Sequence, residues 1–195
     1  QDYAQAVAWY EKAANLGNTD AMTNLGFMYK NGQGVDQDYA QAVAWYEKAA
    51  NLGNTDAMSN LGVMYKNGQG VDQDYTQAVA WYEKAANLGN AYAMSNLGVM
   101  HENGQGVDQD YTQAVAWYEK AANLGDATAM ANLGVMYEKG LGVDQDYTQA
   151  LAWYEKAANL GNEDAMFNLG VVYENGRGVD QDYTQAVAWY EKAAN

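Results

Sequence analysis

Six tryptophans stand at Trp9, Trp45, Trp81, Trp117, Trp153 and Trp189, and the interval never changes: 45 − 9 gives 36. The words around them repeat too. The stretch from Asp38 to Gln73, DYAQAVAWYEKAANLGNTDAMSNLGVMYKNGQGVDQ, has near copies before and after it. Self-similarity at a period of roughly 20–50 residues marks units that cannot bury an apolar face alone and must stack to do so. The 195 residues therefore read as one elongated array over 1–195, in which each unit touches mainly its neighbours.

Composition narrows what such an array can serve. The formal net charge of −15 is spread through every copy. It argues against nucleic acid, which needs a basic footprint, and against anionic membranes. No apolar run approaches the ~20 residues of a membrane span, so membrane insertion is not expected. No signal peptide or basic targeting segment is present. The absence of cysteine removes disulfides and thiolate metal sites. The chain opens at Gln1, inside a unit and without Met, and so reads as a trimmed fragment.

Each unit divides into two helices. In helix B, Asp38 followed by Gln41 predicts a capping box. Tyr39, Ala42, Val43, Tyr46, Ala49 and Ala50 then share one face at helical spacing, with Trp45 flanking it, and Gly53 ends the helix. Helix A starts on Asn54; Asn18, Asn90, Asp126 and Asn162 hold the same N-cap place. Its buried face is Ala57, Met58, Leu61, Met64 and Tyr65, and Gly68 closes it. Gly26, Gly62, Gly98, Gly134 and Gly170 sit mid-helix, where glycine costs about 1 kcal/mol against alanine. Close approach of a neighbouring helix is the expected reason. The units run 1–17 (a lone helix B), 18–53, 54–89, 90–125, 126–161 and 162–195, giving six B and five A helices and no sheet. Both ends lack a polar cap, so end-to-end self-association is expected.

The words A-M-x-N-L-G-x-M-Y, G-x-G-V and D-Y-x-Q-A-V-x-W-Y-x-K-A-A-x-L-G resemble the Sel-1-like repeat, a relative of the tetratricopeptide repeat. The resemblance covers essentially the whole chain. It implies an all-α fold, an α/α solenoid coiled as a right-handed superhelix, with A helices on the concave side. It also implies a non-enzymatic scaffold or adaptor that binds a protein or peptide. Members serve in bacterial envelope and host-interaction proteins, which makes a periplasmic or secreted setting the first expectation, and in endoplasmic-reticulum quality control. Cysteine-rich bacterial members pin each unit with a disulfide; this chain lacks those cysteines.

Helix B is nearly letter-identical throughout, and most divergence falls in helix A. Four positions differ among copies: Asp20, Asp56, Tyr92, Thr128 and Asp164; Thr23, Ser59, Ser95, Ala131 and Phe167; Phe27, Val63, Val99, Val135 and Val171; Lys30, Lys66, Glu102, Glu138 and Glu174. Spacings of three, four and three place them on one stripe along the helix. If A helices line the concavity, this stripe is its floor and the candidate partner-binding surface. A solvent-exposed face that drifted without consequence is the competing account. Phe27, Tyr92 and Phe167 favour an interface, where aromatics are enriched. The shift from lysine to glutamate suggests a basic stretch of partner facing the C-terminal half. Asn24, Asn60, Asn96, Asn132 and Asn168 run beside the stripe. They form either an amide ladder for an extended peptide or, more plainly, ties to neighbouring loop carbonyls.

Other chemistry is sparse. Asp36 and Asp38 invite a calcium reading, but no bidentate Glu stands at the required offset. His101, the one histidine, replaces the tyrosine of Tyr29 and Tyr65 and reads as a packing residue. No nucleophile–base pair or phosphate-binding glycine motif is present, so neither catalysis nor a cofactor is expected. The tryptophans read as inter-repeat packing rather than a sugar platform, each burial contributing about 2–3 kcal/mol. Trp81→Ala is then expected to cost about 3–5 kcal/mol. A structural spacer or consensus array without a ligand remains an alternative to the scaffold, and a calcium-dependent module a weaker one.

Overall fold

The computed structural model describes residues 2–194; the outer bounds at Gln1 and Asn195 lie outside the described residues. Eleven helices and no strand occur among the described residues. The Trp-bearing B helices are α1 (Tyr3–Asn15), α3 (Tyr39–Asn51), α5 (Tyr75–Asn87), α7 (Tyr111–Asn123), α9 (Tyr147–Asn159) and α11 (Tyr183–Ala193). The A helices are α2 (Thr19–Asn31), α4 (Thr55–Asn67), α6 (Ala91–Asn103), α8 (Ala127–Lys139) and α10 (Glu163–Asn175). Sequential helices pack on one another, α1 to α5 in one compact unit and α7 to α11 in a second, which is the packing of an α/α solenoid. The first unit is Gln1–Ala93 with Gln105–Val107; the second is Met94–Gly104 with Asp108–Asn195.

Local chemistry sets the helix limits. Asp38 caps α3 by accepting from the Gln41 amide at 3.0 Å, while its own N–H donates to the carbonyl of Tyr29 at 2.9 Å. The expected capping box is thus half formed: the cap is present, and the loop takes the place of the reciprocal glutamine bond. At the other end Gly53 N–H donates to Ala50 O and Asn54 N–H to Ala49 O, a Schellman closure that needs the left-handed φ of 91° at Gly53. The residue that completes this closure, Asn54, then caps α4.

The core of each unit lies where the two helix types meet. Ala42, Val43, Tyr46, Ala49 and Ala50 of α3 are buried, as are Ala57, Met58, Leu61 and Met64 of α4. Tyr39 and Tyr65, placed on these faces by spacing, are only half-buried. The mid-helix glycines have a more specific cause than helix proximity. A Cβ on Gly26 would lie 2.5 Å from the Tyr46 ring, and Gly62, Gly98, Gly134 and Gly170 meet Tyr82, Tyr118, Tyr154 and Tyr190 in the same way. Each glycine is the seat of a tyrosine ring carried by the next B helix.

Candidate functional site

Within the first unit, one side chain starts each A helix and ties it to the A helix before it. The Asn54 carbonyl oxygen accepts from the Ala57 amide at 2.9 Å and from the Thr23 hydroxyl at 3.1 Å. Its amide nitrogen donates to Asp20 at 2.9 Å. Asn90 repeats the set with Ala93 N, Ser59 Oγ and Asp56 Oδ1 at 2.9, 3.0 and 2.9 Å. Two of the divergent positions, 20/56 and 23/59, therefore already have partners inside the chain. Ser59 is 2% exposed, and Ser95 and Ala131 are also buried. These three leave the expected exposed stripe: a spacing of three and four residues puts them in line, but their side chains are buried, and Ser59 is bonded to Asn90.

The rest of the stripe is open to varying degrees. Phe27, Tyr92 and Phe167 are 48%, 52% and 54% exposed. Asn24, Thr128 and Asp164 are exposed, and Val63, Val99, Val135 and Val171 are half-buried, as are Asn60, Asn96, Asn132 and Asn168. In the second unit α8 and α10 enclose a hollow of about 270 Å³. Thr128, Ala131, Asn132 and Val135 line it from α8, and Asp164, Phe167 and Asn168 from α10. Every one of these belongs to the stripe or to the asparagine row beside it. In the first unit, Asn24 and Phe27 of α2 border a larger hollow of about 410 Å³ with Tyr3, Ala6 and Tyr10 of α1.

The last position of the stripe behaves differently in the two units. In the second, Glu102, Glu138 and Glu174 accept from the hydroxyls of Tyr118, Tyr154 and Tyr190 at 2.7, 2.8 and 2.7 Å. Glu138 also pairs with Arg177 at 2.5 Å. Burial pushes the Tyr118 and Tyr154 phenols well above the usual tyrosine range, and the bonded glutamates push the same way. Tyr190 is pushed up to about 12 by desolvation and Glu174. In the first unit the same register carries Lys30 and Lys66. Tyr46 and Tyr82 are fully buried there, and their hydroxyl oxygens have no hydrogen-bond partner.

The tryptophans are not the buried anchors. Trp45, Trp81, Trp117 and Trp153 are half-buried, and Trp9 is mostly exposed. Each carries the lysine three residues on over one ring face, with Lys48 Nζ 4.1 Å from the Trp45 centroid and Lys156 Nζ 3.9 Å from that of Trp153. The residue next to each tryptophan, Tyr46, Tyr82, Tyr118 or Tyr154, fills the core instead.

The Sel1 repeat model matches the chain six times in succession, at residues 1–18, 19–54, 55–90, 91–126, 127–162 and 163–195. The chain belongs to the Sel1 repeat family. Solved structures agree. A protective antigen of uropathogenic Escherichia coli with an SLR fold is 42% identical over 100% of this chain, with a TM-score of 0.84. A Sel1 repeat protein from Oxalobacter formigenes is 38% identical over 98% of the chain and 78% of its own length, with a TM-score of 0.92. The immunity protein Pa5087 of Pseudomonas aeruginosa is 25% identical over 100% of this chain and 74% of its own, with a TM-score of 0.69. The chain spans only 42% of the length of the Escherichia coli antigen. No curated protein matches. Sel1 repeats are in general protein-interaction modules rather than enzymes.

His101 is half-buried, yet its Nδ1 is buried without a partner, so it packs where tyrosine stands in other copies and leaves one ring nitrogen unsatisfied. Asn132 lies close enough to the Tyr118 hydroxyl to act on it. The loops are laced by glutamine: Gln37 Nε2 donates to the Lys30 carbonyl at 2.8 Å and to the Tyr39 hydroxyl at 3.1 Å. Among the described residues no group of three or more His, Cys, Asp or Glu is placed to hold a metal ion. No helix among the described residues is long and apolar enough to cross a membrane.

Proposed function

We propose that this Sel1 array is a non-enzymatic scaffold that holds a peptide or protein partner on the exposed stripe of its A helices. The observation that supports the reading is the hollow between α8 and α10. Thr128, Ala131, Val135, Asp164 and Phe167 in its walls are positions at which the copies diverge, Asn132 and Asn168 belong to the constant asparagine row, and the B helices are nearly constant. An exposed Phe167 beside the half-buried amides of Asn132 and Asn168 offers an apolar anchor together with donors and acceptors for a peptide backbone. The spacer reading draws on the buried members Ser59, Ser95 and Ala131, whose variation is explained by packing. The candidate surface accordingly contracts to the exposed and half-buried members.

The test is panning of a random peptide library against the intact chain and against a variant carrying Phe27→Ser, Tyr92→Ser and Phe167→Ser. Peptides that enrich on the parent and lose binding to the variant are expected. A variant of unchanged helicity that binds the same peptides equally well overturns the reading, as does a library that enriches nothing.

A further inference from the structure

The tyrosine that seats on each mid-helix glycine ends in a hydroxyl aimed at the last stripe position of the A helix before it. Three copies show what this hydroxyl takes as a partner. Tyr118, Tyr154 and Tyr190 each donate to a glutamate sixteen residues earlier. Two copies lack that acceptor. Tyr46 and Tyr82 are 0% exposed, and neither hydroxyl has a hydrogen-bond partner. The residues in register are Lys30 and Lys66, half-buried and, among the described residues, in no ion pair. An ammonium group offers donors only, so lysine cannot accept the phenol proton. Each position therefore combines a buried donor hydroxyl with a lysine in the register of the glutamate, and the carboxylate that completes the arrangement elsewhere in the chain is missing from these two places.

We propose that the first unit binds a carboxylate of its partner, an aspartate or glutamate side chain, at Lys30–Tyr46 and at Lys66–Tyr82. This rests on the reading of the A-helix stripe as the partner surface. The lysine neutralises the incoming charge and swings its flexible stem aside, and the tyrosine hydroxyl donates the bond that it donates to Glu102 or Glu138 in the second unit. Phe27, one turn before Lys30, supplies an apolar contact beside the first position. The other acids of this stripe, Asp20 and Asp56, are already held by the amides of Asn54 and Asn90. The chain's net charge of −15 disfavours a polyacidic ligand, because fields extend over about 10 Å at 0.1 M salt. The fitting partner is a largely apolar segment carrying one or two isolated acids. The C-terminal glutamates, each bonded to a tyrosine, are correspondingly less available to a basic partner than their charge suggests.

The experiment reads the composition and affinity of the peptides selected by panning on the full chain. Aspartate or glutamate is expected at one or two fixed places in them, and exchange of that acid for its amide should weaken binding at least tenfold. Lys30→Glu with Lys66→Glu supplies the acceptor within the chain, as in the second unit, and should abolish binding of the acidic peptides while helicity is retained. Lys30→Met with Lys66→Met, which removes the cation without supplying an acceptor, and Tyr46→Phe with Tyr82→Phe should each weaken binding several-fold. Selected peptides that bind the stripe without any excess of acid, or that bind the glutamate and methionine variants as tightly as the parent, overturn the carboxylate proposal and leave the scaffold reading standing. Failure to select any peptide removes both.

Discussion

The two compact units are built from nearly the same helices, yet they satisfy one buried hydroxyl in different ways. In the second unit Tyr118 donates to Glu102 and Tyr154 to Glu138. In the first, Tyr46 and Tyr82 occupy the same seats against Gly26 and Gly62 with no acceptor. A buried hydroxyl without a partner costs about 1–3 kcal/mol, whereas a bond to a carboxylate contributes on the order of 1.5–3 kcal/mol. The ring is kept in all copies because its burial carries the packing; the head group is where the units diverge. If the carboxylate proposal holds, stability and availability for binding trade against each other along the same stripe.

The largest effect should be indifferent to this contrast. Tyr82→Ala and Tyr154→Ala each remove a fully buried ring and should each cost about 3–5 kcal/mol in urea denaturation. A clear inequality between them would show that the two cores are not equivalent. Trp81→Ala and Trp153→Ala should each cost about 2 kcal/mol, less than the 3–5 kcal/mol expected for buried rings, because these indoles are half-buried beneath a lysine. Tryptophan variants as costly as the tyrosine ones would restore tryptophan as the anchor.

The hydroxyl itself separates the units. Tyr118→Phe should lower stability by about 1.5 kcal/mol, and Tyr82→Phe should leave it within about 0.5 kcal/mol or raise it. Equal losses on urea titration would dissolve the comparison. Alkaline titration reads the same groups. The five seated tyrosines have folded pKa values raised above the ordinary 10, Tyr190 to about 12. Their contribution is complete below the unfolded value, near pH 10, and is lost as pH rises through the folded values. The urea midpoint should therefore fall from pH 10 upward, with late phenolate absorbance that appears as the helices melt. Stability flat to pH 12 would contradict it. The smallest change, Asn54→Asp, gives the first unit the carboxylate cap that the second already has at Asp126. It keeps the cap and loses the donor to Asp20, for a cost of about 1 kcal/mol that Asp20→Asn should largely remove.

The period, the helices and their stops were legible in the sequence because they are local: Asp38, Gly53, Asn54 and Gly68 act within a few residues of themselves. The Trp45–Tyr46 pair shows where legibility ended. Helical phase placed Tyr46 on the buried face and Trp45 at its flank, but size drew the anchor role to the tryptophan. Phase was the better guide, since a side chain's direction is fixed before its volume matters. The stripe was legible as a set, and the hollow between α8 and α10 is lined by it and by the asparagine row beside it. That Ser59, Ser95 and Ala131 are buried was not legible, because spacing within one helix carries no record of the helix beside it. Nor was the link between residues sixteen apart that joins Tyr154 to Glu138, which crosses from one helix type to the other.

The asparagine at the start of α4 has a consequence for how such chains grow. Asn54 begins its own helix and grips Asp20 and Thr23 of the preceding copy with the same amide group. A duplication of one period copies the hand and the handhold together. A junction made by copying this period then arrives already closed, without a second, compensating change.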